Sequence, residues 1–191
     1  PADIKAFDDN QLETLADELR DYLIQTMAST GGHFAANLGT VELACALHYV
    51  FDTPHDRLVW DVGHQAYVHK LLTGRWADFG TLRQSAGMSG YPARAESVHD
   101  LVENSHASTS LSYAAGLAMS RRADDDSYTV AVIGDGALTG GMAYEALTNL
   151  GHSGERCVIV LNDNGRSYAP TVSKLSDSLA RIRANPVYLQ R

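Results

Sequence analysis

No stretch of this 191-residue chain reaches the roughly 18 consecutive apolar residues of a membrane-crossing helix, and no signal-peptide pattern opens it. Neither membrane insertion nor secretion is therefore expected. Basic residues are too few for a polyanion binder: 15 Lys and Arg stand against 23 Asp and Glu, giving a formal charge of -8. Neither nucleic acid nor an anionic membrane surface is expected as the main partner. The two cysteines, Cys45 and Cys157, are too few for a disulfide framework and match no metal spacing. Both lie in apolar runs as small hydrophobes suited to a reducing cytoplasm. No Walker loop, Gly-x-Ser-x-Gly elbow or HExxH pair occurs, so P-loop ATP use, serine hydrolysis and zinc proteolysis lack support. Repeats and low-complexity tracts are absent too. The chain begins at Pro1 without a methionine and is expected to be a processed or trimmed piece.

What is present fits one α/β domain, since 45% hydrophobic content in 191 residues suffices for one sizeable core. From Asp9 to Met27 the apolar residues Leu12, Leu15, Ala16, Leu19, Leu23, Ile24 and Met27 recur at helical spacing. Ser29-Thr30-Gly31-Gly32 ends that helix, and Gly39-Thr40 is the expected cap of a second from Val41 to about Phe51. Leu58 to Val62 reads as a buried strand leading into Gly63-His64-Gln65, with helix-like residues to Leu72. Residues 73–102 read as a long mixed loop, a common carrier of function. Ser105 to Ser110 precedes a small-residue helix over Leu111–Met119. Asp124-Asp125-Asp126 is expected to be a solvated turn rather than a metal site. A final helix is expected over residues 172–183.

The most informative residues follow two further apolar runs. Tyr128 to Ile133 leads into Gly134-Asp135-Gly136, and Cys157 to Leu161 leads into Asn162-Asp163-Asn164, with a helical segment between. This is the pattern of a βαβ unit, which sets both polar strings on the carboxyl edge of one sheet, where open α/β folds bind ligands. Neighbouring strands lie about 4.8 Å apart, so the Asp135 carboxylate and the Asn164 amide oxygen can share a cation held at about 2.1 Å. Such hard oxygen donors favour Mg²⁺, which leaves coordination places for phosphate. Thr139-Gly140-Gly141 opens a helix whose first N–H groups can receive phosphate oxygens. Either polar string alone is also a good turn sequence, and it is their joint placement that points to a site.

Eight histidines are spread along the chain. His48, His55, His69, His99 and His152 sit in helical or turn positions without local site chemistry, and structural roles are expected for them. His33, His64 and His106 each adjoin Gly or Ser at the end of an element, where function and structure are evenly matched. Glu42, inside an apolar helix, is expected to be a hydrogen-bonded structural acid.

Gly-Asp-Gly followed some 25 to 30 residues later by Asn resembles the shared signature of thiamine-diphosphate enzymes. Gly31-Gly32-His33-Phe34, Leu38 to Leu43, Trp60 to Tyr67, Leu72-Thr73-Gly74-Arg75 and Ser105 to Ser110 are similar to the 1-deoxy-D-xylulose 5-phosphate synthase family. The resemblance implies a three-layer α/β fold, a mostly parallel sheet with helices on both faces, with residues 167–191 as a connecting segment. It implies Mg²⁺ bound by Asp135, Asn164 and the Arg166 carbonyl. It also implies thiamine diphosphate contacted by His64, Ser105, His106, Ala107, Gly136, Ala137 and Asn164, with His33 facing the reacting carbon. The implied reaction is decarboxylative condensation of pyruvate with D-glyceraldehyde 3-phosphate, for isoprenoid precursors, thiamine and pyridoxal, in a cytoplasmic homodimer. Family members are about three times longer, and a second domain supplies the glutamate that activates the cofactor. The chain is thus expected to be an N-terminal portion, inactive alone. The competing readings are a cofactor-binding module without turnover and half of a split transketolase.

Overall fold

Asp8 and Gln11 start the first long helix with a reciprocal capping box, each side-chain oxygen accepting the other's backbone N–H at 2.9 Å. Helix α1 (Asp9–Thr30) buries Ala16, Leu19, Leu23 and Met27 of the expected stripe and half-buries Leu12 and Leu15, while Ile24 is exposed, and it continues past Met27 to Thr30. The computed structural model describes residues 1–103, 105–165, 169–171 and 174–189. A one-turn helix, α2 (Phe34–Leu38), precedes α3 (Val41–Val50). Thr40 occupies the expected cap position of α3, but its hydroxyl makes no capping bond. It donates back to the carbonyls of Asn37 and Gln65, at 3.2 and 3.3 Å. Glu42 is exposed on α3 rather than buried, and it pairs with Arg20 of α1 while Val41, Ala44 and Cys45 face inward.

Three strands form one sheet among the described residues: β1 (Arg57–Trp60), β2 (Thr129–Gly134) and β3 (Cys157–Asn162). They lie in the order β1-β2-β3 and both pairings are parallel, with Trp60 beside Val132 and Gly134 beside Asn162. β1 stops short of its expected end because Asp61 and Val62 turn away. Val62 takes φ 58° and the Gly63 N–H donates to the Asp61 carbonyl at 2.6 Å.

Alternation along the strands separates two cores. Leu58, Trp60, Val130, Val132, Val158 and Val160 pack with α1, α3 and α4 (Tyr67–Leu72). Ala131, Ile133, Cys157, Ile159 and Leu161 pack on the other face with α5 (Ser110–Met119) and α7 (Gly141–Ser153). A single turn, α6 (Asp135–Leu138), joins β2 to α7. The result is the expected three-layer α/β arrangement with helices on both faces. Cys45 is buried and Cys157 half-buried, both as free thiols, and burial pushes the Cys45 thiol up to about 11. Residues 73–102 contain one 3-10 turn, Phe79–Thr81, as a long loop should. Two terminal helices, α8 (Lys174–Arg183) and α9 (Pro186–Leu189), follow β3. The expected helix over 172–183 is thus present from Lys174, and its first two positions lie outside the described residues.

Ile133 is fully buried in the centre of the sheet. Ile133→Ala should cost about 3 kcal/mol in urea unfolding, the sum of lost transfer energy and a cavity. Val50→Ala at an exposed helix end should stay within about 0.5 kcal/mol. Equal effects at the two positions would contradict the core assignment.

Candidate functional site at the carboxyl edge of the sheet

Because all three strands are parallel, Asp61 to His64, Asp135 to Leu138 and Asp163-Asn164 leave the sheet on the same edge. The first group is tied to the helix on the opposite face by Asp61. This carboxylate is 1% exposed; Oδ1 accepts the Ser108 N–H and Oδ2 the Ser110 N–H, each at 3.0 Å. Charge-assisted bonds to backbone donors satisfy an anion that burial would otherwise penalise. Ser108 then reaches the second strand end, its hydroxyl donating to the Ala137 carbonyl at 2.5 Å. A Cβ on Gly140 would lie 2.0 Å from that hydroxyl, so glycine is required for the close approach. Val62 at φ 58° and Ser108 at φ 70° hold strained backbone on either side of this link.

Asp135 begins α6 and is 5% exposed, and its Oδ2 has no hydrogen-bond partner among the described residues. A buried, unsatisfied carboxylate oxygen is costly unless a cation meets it. At the end of β3 the Asp163 side chain accepts the Gly165 N–H at 2.9 Å, closing a turn that leaves Asn164 exposed at its tip. The turn reading of Asn162-Asp163-Asn164 is thus the one observed here. Gly136 and Ala137 are half-buried beside Asp135, while Ser105, His106 and Ala107 are exposed ahead of α5. Arg166, the expected carbonyl ligand, lies outside the described residues.

His33 and His64 meet edge to face with ring centroids 5.2 Å apart and planes at 74°. Burial first, and then the Arg83 charge, lowers the pKa of His33; burial and then His33 itself lower that of His64. Both rings are therefore held neutral. His64 Nδ1 is buried with no hydrogen-bond partner among the described residues. Tyr91 approaches His33 at 6.3 Å between ring centroids, and Pro92 seats against Gly63, where a Cβ would lie 2.5 Å from its Cδ.

The loop that brings Tyr91 and Pro92 here is held by a buried polar network. Arg75 donates to both oxygens of Asp100, at 2.6 and 2.9 Å, and the Ala93 N–H donates to Oδ2 at 2.7 Å. The Lys70 ammonium, fully buried, pairs with Glu96 at 2.5 Å. Burial alone would raise the Asp100 pKa, but hydrogen bonds from His69 and Arg75 outweigh it and keep the carboxyl ionised well below its usual range. His69 Nε2–H must therefore donate to Asp100 Oδ1 at 3.0 Å, leaving Nδ1 to accept from His48 Nε2–H at 2.9 Å. His48 Nδ1 in turn accepts from the Thr53 hydroxyl at 3.3 Å, and His99 Nδ1–H donates to Thr53 at 3.0 Å. The structural roles expected for His48, His69 and His99 are those observed. His55 pairs with Asp126, and Arg57 with Asp125, so the aspartate run is an ion-paired surface turn.

Sequence reasoning missed Asp61, Asn37 and Asp100. Asp61 carried a usable signal, a charged residue closing an apolar strand directly before Gly63-His64.

A parallel sheet flanked by helices, with an acidic, histidine-bearing carboxyl edge, places the chain in the open α/β class, in which that edge is the usual place for ligands. The chain matches the family described as 1-deoxy-D-xylulose-5-phosphate synthase over residues 1–191. It belongs to that family, as the part at the amino-terminal end. The Frankia casuarinae protein of that name is 59% identical over 192 residues, covering 100% of this chain and 29% of the relative. A Parafrankia protein and a Mycobacterium tuberculosis protein of the same name are each 57% identical over the whole chain, covering 29% and 30% of their own lengths. The chain therefore spans about 30% of the relatives it matches.

Asp61→Ala should lower stability by about 2–4 kcal/mol, because two buried N–H groups lose a charged acceptor. Hydrogen exchange should rise at Ser108 and Ser110 before it rises in β2; uniform protection loss would argue against a local clip. The histidine network sets an acid limit. His48, depressed to about 2 by burial and then by His69, stays neutral when folded but takes up a proton near pH 6.5 when unfolded. Its contribution is complete above pH 6.5 and is lost as pH falls below that value. At pH 5.5 the loss is about 1.4 kcal/mol. Unfolding free energies from urea titrations at pH 7.5 and 5.5 should differ by about 1.4 kcal/mol less in His48→Gln than in the parent.

Proposed function

We propose that this chain forms the diphosphate- and Mg²⁺-binding part of a thiamine-diphosphate-dependent transferase, the 1-deoxy-D-xylulose 5-phosphate synthase reaction of the complete protein. One observation carries the reading: the buried, unsatisfied Oδ2 of Asp135 at the end of the central strand, beside the parallel strand that leads to Asn164. That donor set fits a hard cation, since its oxygens are those Mg²⁺ selects. Asp135 and Asn164 would hold the ion through their side chains and Arg166 through its carbonyl. Gly136 and Ala137 would face the cofactor diphosphate together with His64, which offers an unsatisfied ring nitrogen. Ser105, His106 and Ala107 would line the cofactor, and His33 would face the reacting carbon. When bound, thiamine diphosphate supplies the electron sink for removing carbon dioxide from pyruvate and joining the two-carbon unit to D-glyceraldehyde 3-phosphate.

The chain's own contribution is orientation and charge. Neutral His33 and His64 can exchange protons or hydrogen bonds with a polar ligand without adding a buried cation, and the Asp61–Ser108–Ala137 link holds the loops around that ligand in register. Residues 167–191 are read as a connecting segment, and the complete protein as a cytoplasmic homodimer in which further domains supply the activating glutamate. Among the described residues no helix is long and apolar enough to cross a membrane. The short share of each relative favours a chain that binds cofactor without turnover when alone.

In the full-length protein, Asp135→Ala should weaken thiamine-diphosphate binding at least tenfold by calorimetry in Mg²⁺, and EDTA should have the same effect on the unsubstituted protein. The melting temperature should change little. Unaltered cofactor affinity in the variant would remove Asp135 from this role. Pyruvate-dependent carbon dioxide release, against none from ketose phosphates, separates the synthase reading from a transketolase one.

A further inference from the structure

Asn37 lies between the two facing histidines in a way their own rings do not explain. It sits in the one-turn helix α2, is 0% exposed, and uses all of its amide. Nδ2 donates one hydrogen to the His33 carbonyl at 2.7 Å and the other to the His64 carbonyl at 2.8 Å. Oδ1 accepts the Tyr67 N–H at 2.9 Å, at the first residue of α4. The Tyr67 hydroxyl completes the circuit by accepting the His33 N–H at 3.4 Å. Two segments distant in sequence are thus clamped by one side chain at the residues whose rings stand 5.2 Å apart.

An amide of this length is required. Aspartate has no hydrogen to donate, serine has one, and glutamine carries an extra methylene into a fully buried space. The His64 Nδ1 has no partner among the described residues, so no bond at that nitrogen fixes the ring. Where the ring is rooted is set by the backbone that Asn37 holds. We propose that Asn37 is a positioning residue that sets the separation and angle of the His33 and His64 imidazoles, and through them the binding of a polar ligand at this edge. The ligand part rests on the thiamine-diphosphate reading above; the ring geometry does not.

The test uses the full-length protein with isotope-labelled histidine and the variants Asn37→Asp and Asn37→Ala. Asn37→Asp keeps the volume and the acceptor for Tyr67 but removes both donors, and it reports if Asn37→Ala fails to fold. The nuclear Overhauser effect between the His33 and His64 rings, present in the parent, should be lost in the folded variant. A Leu150→Ala control, which loosens the core on the opposite face, should keep it. Thiamine-diphosphate affinity with Mg²⁺ should fall about tenfold in Asn37→Asp. It should fall no further when Asn37→Asp is added to His64→Ala. An undiminished ring-to-ring effect, or fully additive losses in that double variant, would overturn the proposal. A parent protein that binds no thiamine diphosphate would instead defeat the functional reading, leaving the ring measurement to decide the role of Asn37.

Discussion

The carboxylate of Asp61 joins parts that the sheet alone leaves separate. It ends β1, caps the entry to α5 on the far face, and through Ser108 reaches the turn after β2. A parallel sheet places strand ends on one edge but does not set the heights of the loops beyond them. That is done here by one buried anion shared between two backbone donors. The strain at Val62 and Ser108 is tolerated because the carboxylate and its donors over-determine the local path.

A second polar centre is built around Asp100. The hydrogen bonds from His99 through Thr53, His48 and His69 all run toward ionised Asp100, which Arg75 also neutralises. Removing a single member would leave a buried group without its partner, so the network behaves as a unit. Its product is geometric: the long loop folds back until Tyr91 and Pro92 close over His33 and Gly63. The two neutral imidazoles thus adjoin a residue of that loop, Tyr91, on one ring. Neither network supplies a hydrogen bond to the buried Oδ2 of Asp135.

Much of this was legible in the sequence, for local reasons. The helical stripe of α1 and the apolar runs of β2 and β3 are periodic signals, and the parallel pairing followed from the crossover between the two polar strings. The placement of Gly134-Asp135-Gly136 at a strand end was legible because an apolar β-type run leads directly into it and a second such run follows at crossover spacing. Asn37 and Asp100 were not, because each gains its meaning from a bond to a residue far along the chain, with separations of 27 and 31 positions. Glu42 is the hydrogen-bonded structural acid expected, although its partner, Arg20 on the neighbouring helix, lies outside its own apolar run. Val62 left the strand, since β-propensity favoured continuation and the turn after Asp61 prevailed.

Strand order also has a kinetic meaning. β2 and β3 are joined by a short helical crossover, whereas β1 meets β2 only after α4, the long loop and α5 have been threaded between them. Closing the larger loop costs only about 0.6 kcal/mol per doubling of length, so final stability scarcely registers the difference. The search does, because distant pairings form slowly. The half bearing Asp135 can organise early as a local unit, while the half bearing Asp61 and His64 must wait for a long-range encounter. In refolding of the whole chain, the strand ends at Asp135 and Asn162 would therefore come together before the two histidines join that edge.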